Sequence, residues 1–163
     1  MIAVAPDASA TPEPETETAA NNGVRVIVVG LDGSPTSWDA FAWAAGAAAR
    51  GNGQLVAVHV MPLTEPAAVF GVPFDYAGAE TARQAIAVEL KDEAERRASE
   101  MSVPVSFVAE HGEVTHAVTE VARALHADLV VVGRSARKLH RLAGSLSHRL
   151  TCRNDAPVVV VVP

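Results

Sequence analysis

DLVVVGRSARKLHRLAGS, residues 128–145, is the stretch whose reading decides the fold. Leu129 to Val132 is an uninterrupted apolar run and reads as a parallel strand buried on both faces, stopping at Gly133. A polar stretch follows, with Arg134, Arg137, Lys138, His140 and Arg141 and no acid among them, and it closes on Gly144 and Ser145 where a further helix begins. These are the parts of a phosphate site. Glycine lets backbone N–H groups approach an anion, a helix N-terminus aims its own at it, and cations complete the charge match. The same residues also fit an ordinary surface connection with a solvated charge run.

Outward from this stretch, strands alternate with helices. Val24 to Val29 reads as the first strand, followed by GLDGSP at 30–35, in which Ser34 is a natural N-cap and Pro35 a first helical residue. Thr36 with Asp39 offers a competing capping box. The helix to about Arg50 places Trp38, Phe41, Ala42, Ala45 and Ala49 on one face and ends at Gly51-Asn52-Gly53. Gln54 to Val60 is a second strand. Residues 61–78, with three prolines and the aromatics Phe70, Phe74 and Tyr76, read as a long apolar connection, either a lid over a pocket or a plug for the core. A helix over 79–101 carries the stripe Ala82, Ile86, Leu90, Ala94, Ala98 and Met101, with Asp92–Arg96 and Glu93–Arg97 spaced for ion pairs. Val103 to Ala109 reads as the third strand and Glu110-His111-Gly112 as a turn. The helix over 113–126 packs through Val114, Ala117, Val118, Val121, Ala122 and Leu125. After the opening stretch come a short helix over 145–153 and a final strand over 157–162, containing five consecutive valines.

This alternation predicts an α/β fold: a five-stranded parallel doubly wound sheet, order 3-2-1-4-5, with helices on both faces. In such sheets ligands bind beyond the strand C-termini where the order reverses, here between the first and fourth strands. The loops over 30–35 and 133–145, chosen separately for their chemistry, are the two that meet there.

Composition narrows the class. At 163 residues the chain is long enough for one domain with a sizeable core. Residues 1–22 carry four acids and no base, are rich in Ala, Pro, Thr and Glu, and read as a disordered tail before a single domain over 23–163. The formal charge of −6 argues against nucleic acid as a partner. Yet six of the 13 Lys and Arg residues fall between 134 and 153, a span without acid, so one face is expected to be basic and to suit an acidic protein partner. The single cysteine, Cys152, rules out a disulfide framework, and no apolar run is long enough to span a bilayer; the expectation is a cytoplasmic protein with no membrane contact.

At the expected crevice, Gly133, Gly144 and Ser145 would hold phosphates, with Arg134, Arg137 and Lys138 adding charge. Asp32 has the wrong sign for phosphate and suits a ribose hydroxyl or a phosphate-bound Mg²⁺, unless with Ser34 it only caps a helix. Val58 or its neighbours would offer backbone groups to a base edge. No P-loop, G-x-G-x-x-G or G-x-S-x-G pattern is present, and no two histidines stand at i,i+4, so a protein-held metal cage is not expected. No general base stands out for phosphoryl transfer, so any such chemistry is expected to be slow.

VIVVGLDGS at 26–34, HV at 59–60, EHGEV at 110–114, DLVVVG at 128–133, Gly144-Ser145 and APVVVVV at 156–162 together resemble the universal stress protein family, in that order and over residues 24–163. The resemblance implies the same five-stranded fold, a homodimer formed largely through the final strand, Val158, Val159, Val160, Val161 and Val162, and, in the nucleotide-binding branch of the family, ATP held without strong catalytic apparatus. The nucleotide-binding branch carries Gly, two residues, Gly, nine residues, Gly and Ser or Thr. Here Ala136 stands at the second glycine and seven residues separate it from Gly144. An alanine held in a left-handed conformation costs roughly 1 kcal/mol. ATP, AMP, cyclic AMP and an empty site all stay open, and so do two roles: a nucleotide-binding sensor or regulator, or a nucleotide-free dimeric interaction module.

Overall fold

The computed structural model describes residues 26–61, 76–134, 149–150 and 157–163. The 1–22 tail, most of the connection over 61–78, Arg137, Lys138, Gly144, Ser145 and Cys152 lie outside the described residues.

Five strands form one sheet in the order β3-β2-β1-β4-β5, as expected from the sequence. They are β1 (Val26–Gly30), β2 (Gln54–Met61), β3 (Val105–His111), β4 (Leu129–Gly133) and β5 (Val158–Val162), and all four pairings are parallel. At its centre Ile27, Val28 and Val29 of β1 stand opposite Leu129, Val130 and Val131 of β4. These strands read as continuous apolar runs because both faces are covered. Helices α1 (Pro35–Gly51) and α2 (Tyr76–Glu100) pack on one face, over Ile27, Val29, Leu55 and Val131. Helix α3 (Val114–Ala124) and Leu150 cover the other, over Val28, Val56, Val58, Val130 and Val132.

Several local expectations shift. Helix α1 buries Ser37, Ala40, Phe41, Ala44, Ala45 and Ala48, whereas Ala42 and Ala49 are exposed. Alanine surrounds much of this helix, so hydrophobic contrast does not choose its inner face; contact with the sheet does. Trp38 lies at the flank, edge-on to Phe41 at 5.7 Å and beneath the Arg97 guanidinium at 4.3 Å. Helix α2 begins at Tyr76, three residues early, since Gly78 costs a helix only about 1 kcal/mol. It buries Ala87, Leu90, Ala94 and Ala98, while Ala82, Ile86 and Met101 of the expected stripe are exposed. Arg96 pairs with Glu93 and Glu100, not Asp92. Two guanidiniums, Arg96 and then Arg97, hold the Glu93 carboxyl down at about 2.

Strand β3 starts two residues later than expected because the Val103 N–H closes the end of α2, donating to the Ala98 carbonyl at 3.0 Å after Ser102 turns left-handed at φ 55°. At its other end Glu110 and His111 extend the ladder opposite Val60 and Met61 in place of the expected turn, which is left to Gly112 at φ 126°. Leu125, expected in the α3 stripe, is its C-cap and 42 % exposed.

Candidate site at the β1–β4 switch point

Helix α1 leaves β1 on one face of the sheet and leads back to β2, while β4 is flanked by β5 on its other side. The order of the sheet thus reverses between β1 and β4, and in doubly wound sheets ligands bind beyond the C-terminal ends of the strands at such a point.

The β1–α1 loop is built by short-range hydrogen bonds. Ser34, extended at φ −70° and ψ 154°, is the N-cap, and its Oγ accepts the Ser37 N–H at 3.2 Å. Thr36, the competing cap, lies inside the helix with its hydroxyl 3.3 Å from that of Ser34. Asp32 turns the chain toward the cap, its Oδ1 accepting the Ser34 N–H at 3.0 Å. Gly33 between them takes φ 81°, where a side chain would be strained and a Cβ would meet Leu90 at 3.3 Å. Ser37 Oγ donates to the Ser34 carbonyl at 2.9 Å and faces the Asp32 N–H at 3.4 Å. Asp32 and Gly33 are exposed, and Ser34 is half-buried.

From β2, the Val58 carbonyl accepts the Leu31 N–H at 2.9 Å, and the Val58 side chain is buried against α3. His59 Nδ1 lies 2.9 Å from the Leu31 carbonyl. Nothing in the sequence pattern marks His59 for a role of its own, and only its place near the end of β2 hints at this contact.

From β4, Gly133 lies against the first turn of α1: a Cβ there would stand 2.4 Å from the Thr36 carbonyl oxygen. Packing alone thus requires glycine at this position. Arg134 follows, exposed, its N–H donated to the Val162 carbonyl at 2.8 Å. The structure thus brings Asp32, Ser34, Val58 and Gly133 to one edge of the sheet, and Arg134 directly follows Gly133.

Arg149, one of the cations in the basic span 134–153, pairs with Glu113 at 3.0 Å. Glu113 is the N-cap of α3 and accepts the His116 N–H at 2.8 Å. Partial burial alone would raise its carboxyl, but hydrogen bonds from His116 and Thr115 and the charge of Arg149 outweigh it and hold the group below its ordinary value of 4.5. A lowered carboxyl stabilises the fold in full above that ordinary value and ceases to do so as the pH falls through the lowered one. Glu113→Ala is therefore expected to cost about 1 kcal/mol at neutral pH, as losing an N-cap does, and less in acid. Urea unfolding of both proteins along a pH series checks this; a pH-independent difference would contradict it.

Among the described residues no group of three or more His, Cys, Asp or Glu side chains could hold a metal ion, and no helix is long and apolar enough to cross a membrane.

Among known structures, a universal stress protein in complex with cAMP is 25 % identical, with a TM-score of 0.65 over 86 % of this chain and 97 % of that one. The universal stress protein UspA from Lactobacillus plantarum is 23 % identical, with a TM-score of 0.67 over 86 % and 98 %. A universal stress protein from Archaeoglobus fulgidus in complex with dAMP is 17 % identical, with a TM-score of 0.64 over 86 % and 99 %, a likeness of fold alone. No curated protein matches the chain. The model of the universal stress protein family matches residues 23–162, nearly the whole length, and with the sheet order found here it shows that the chain belongs to that family.

Proposed function

We propose that this protein is a cytoplasmic nucleotide-binding member of the family, a sensor or regulator in a stress response that holds ATP with slow or no hydrolysis and acts as a homodimer through β5. The observation that carries the reading is the β1–α1 loop at the switch point, where Asp32 is turned outward by its bond from Ser34 while the residue before it is tied to β2. In this reading Asp32 accepts a ribose hydroxyl or serves as one oxygen ligand of Mg²⁺, a type of ligand that ion takes readily. Without a carboxylate cluster among the described residues, Mg²⁺ fits as a companion of the nucleotide's phosphates and not as a resident of the protein. Gly133, Gly144 and Ser145 would hold the phosphates through backbone N–H groups and a hydroxyl, Arg134, Arg137 and Lys138 would supply charge, and Val58 or its neighbours would offer backbone groups to the base edge, beside Ser34. A relative solved with cAMP supports a nucleotide as the ligand class.

The test is to denature freshly purified protein, identify any released nucleotide by mass spectrometry, and titrate the protein calorimetrically with ATP, ADP, AMP and cyclic AMP, with and without Mg²⁺. Saturable binding of ATP is expected, and Gly144→Asp should weaken it at least about tenfold by placing a side chain and a like charge against the phosphates. No released nucleotide and no heat with any of the four would overturn the reading in favour of a nucleotide-free interaction module using the basic face of residues 134–153. The Arg149–Glu113 pair leaves that face one cation weaker than its sequence suggests.

A further inference from the structure

We infer that His59 is a positioning residue for the β1–α1 loop: by donating from Nδ1 to the Leu31 carbonyl it fixes the peptide plane that presents Asp32. A carbonyl oxygen only accepts, so at 2.9 Å the proton sits on Nδ1 of His59. The β1–β2 ladder ends at Gly30 opposite Val58, with one further bond from the Leu31 N–H to the Val58 carbonyl. The next group along the chain, the Leu31 carbonyl, has passed the last paired residue of β1. His59 takes over there, one residue further along β2, with a side chain doing what the backbone ladder no longer does. Leu31 is thus held to β2 at both of its main-chain groups, and its side chain is 3 % exposed within the core.

The consequence falls on Asp32. Its N–H belongs to the same peptide plane as the Leu31 carbonyl, and on that side the contact to Ser37 Oγ is long, at 3.4 Å. The stronger hold on the plane is the one from His59, so the direction of Asp32 depends on a histidine that need not touch the ligand. The effect on affinity rests on the nucleotide reading, whereas the effect on the loop does not.

The experiment compares wild type, His59→Leu and His59→Asn as full-length proteins. Leucine fills the space without a donor, while the asparagine amide places an N–H near the position of Nδ1. Amide hydrogen exchange at Asp32 and Ser34 should run at least about tenfold faster in His59→Leu and return to within about twofold of wild type in His59→Asn, with Val56 and Ala57 in the core of β2 unchanged in all three. The calorimetric Kd for ATP should rise about fivefold to tenfold in His59→Leu and be restored in His59→Asn, the loss expected for one hydrogen bond. Unchanged exchange at Asp32 and Ser34 in His59→Leu, or an asparagine variant as fast as the leucine one, would overturn the inference. If wild type takes up no nucleotide, the functional reading falls while the exchange comparison still decides the role of His59.

Discussion

Gly133→Ala is expected to lower the melting temperature by about 10 °C, a loss of about 3 kcal/mol for a domain of this size. The added methyl would stand 2.4 Å from the Thr36 carbonyl oxygen, 2.5 Å from its carbon and 2.9 Å from the Ser37 nitrogen. All three obstacles are backbone atoms in the first turn of α1, so no rotamer change relieves the clash; helix or strand must move. Phe41, Ala44 and Ala45 further along α1 are buried in the core, and Val130 to Val132 of β4 lie in the sheet interior, so movement of either loosens packing elsewhere. Thr36→Ala in the same chain should bring no recovery, because it removes none of the clashing atoms. Thermal unfolding of the two variants decides it; a Gly133→Ala protein as stable as wild type would show that the strand end and helix do not approach this closely. Loss of nucleotide binding in Gly133→Ala would say nothing by itself about phosphate contacts, since Ser34 and Asp32 lie on the same displaced turn.

The sheet order was legible in the sequence because the central parallel strands β1 and β4 write themselves as continuous Val, Ile and Leu runs, and β1 and β3 lead through a glycine-containing turn into a capped helix. The family was legible for a related reason: its motifs sit at the strand ends that the topology brings together. Finer matters were not. An alanine-rich helix such as α1 carries little contrast between its faces, so the sequence placed Ala42 and Ala49 inside and the sheet turned them out. The start of β3 depended on where the Val103 N–H was already committed, a bond made to the end of the preceding helix. At the site, the pattern marked Gly133 as a residue for an anion, while the packing against Thr36 gives it a structural reason that no spacing rule carries. His59 was hidden because a histidine in a strand has no signature; its partner, Leu31, is 28 residues away and meets it only through the fold.

The dimer proposed through β5 makes the sharpest claim about register. The Arg134 N–H donates to the Val162 carbonyl, and strand alternation then turns the main-chain groups of Val158, Val160 and Val162 toward β4 and those of Val159 and Val161 outward. Pro157 and Pro163 bracket the strand and have no N–H to give. A second copy running antiparallel about a two-fold axis through Val160 sets Val159 opposite the partner's Val161, so that every outward N–H and C=O of these two residues is used, in four hydrogen bonds. Sliding by one step in either direction puts a proline opposite a valine and leaves a carbonyl on each strand without a donor. The other sheet edge is protected differently: Ser106, Glu110 and His111 of β3 are exposed and polar, whereas β5 offers valine alone. In the proposed pairing, one adhesive edge and one guarded edge would give a closed pair and not a fibre. Val161→Pro is therefore expected to leave the protein folded, since that N–H serves no bond to β4, and to weaken dimerisation about a hundredfold by removing two of the four bonds. Val160→Cys in a Cys152→Ser background should oxidise to a covalent dimer, because facing residues in a non-hydrogen-bonded pair lie about 4.5 Å apart at Cα, within disulfide reach, while Val158→Cys should not. Sedimentation of Val161→Pro and non-reducing electrophoresis of the cysteine variants read the two results. A Val161→Pro protein that sediments as the wild type does, or cross-linking at Val158 in place of Val160, would exclude this register.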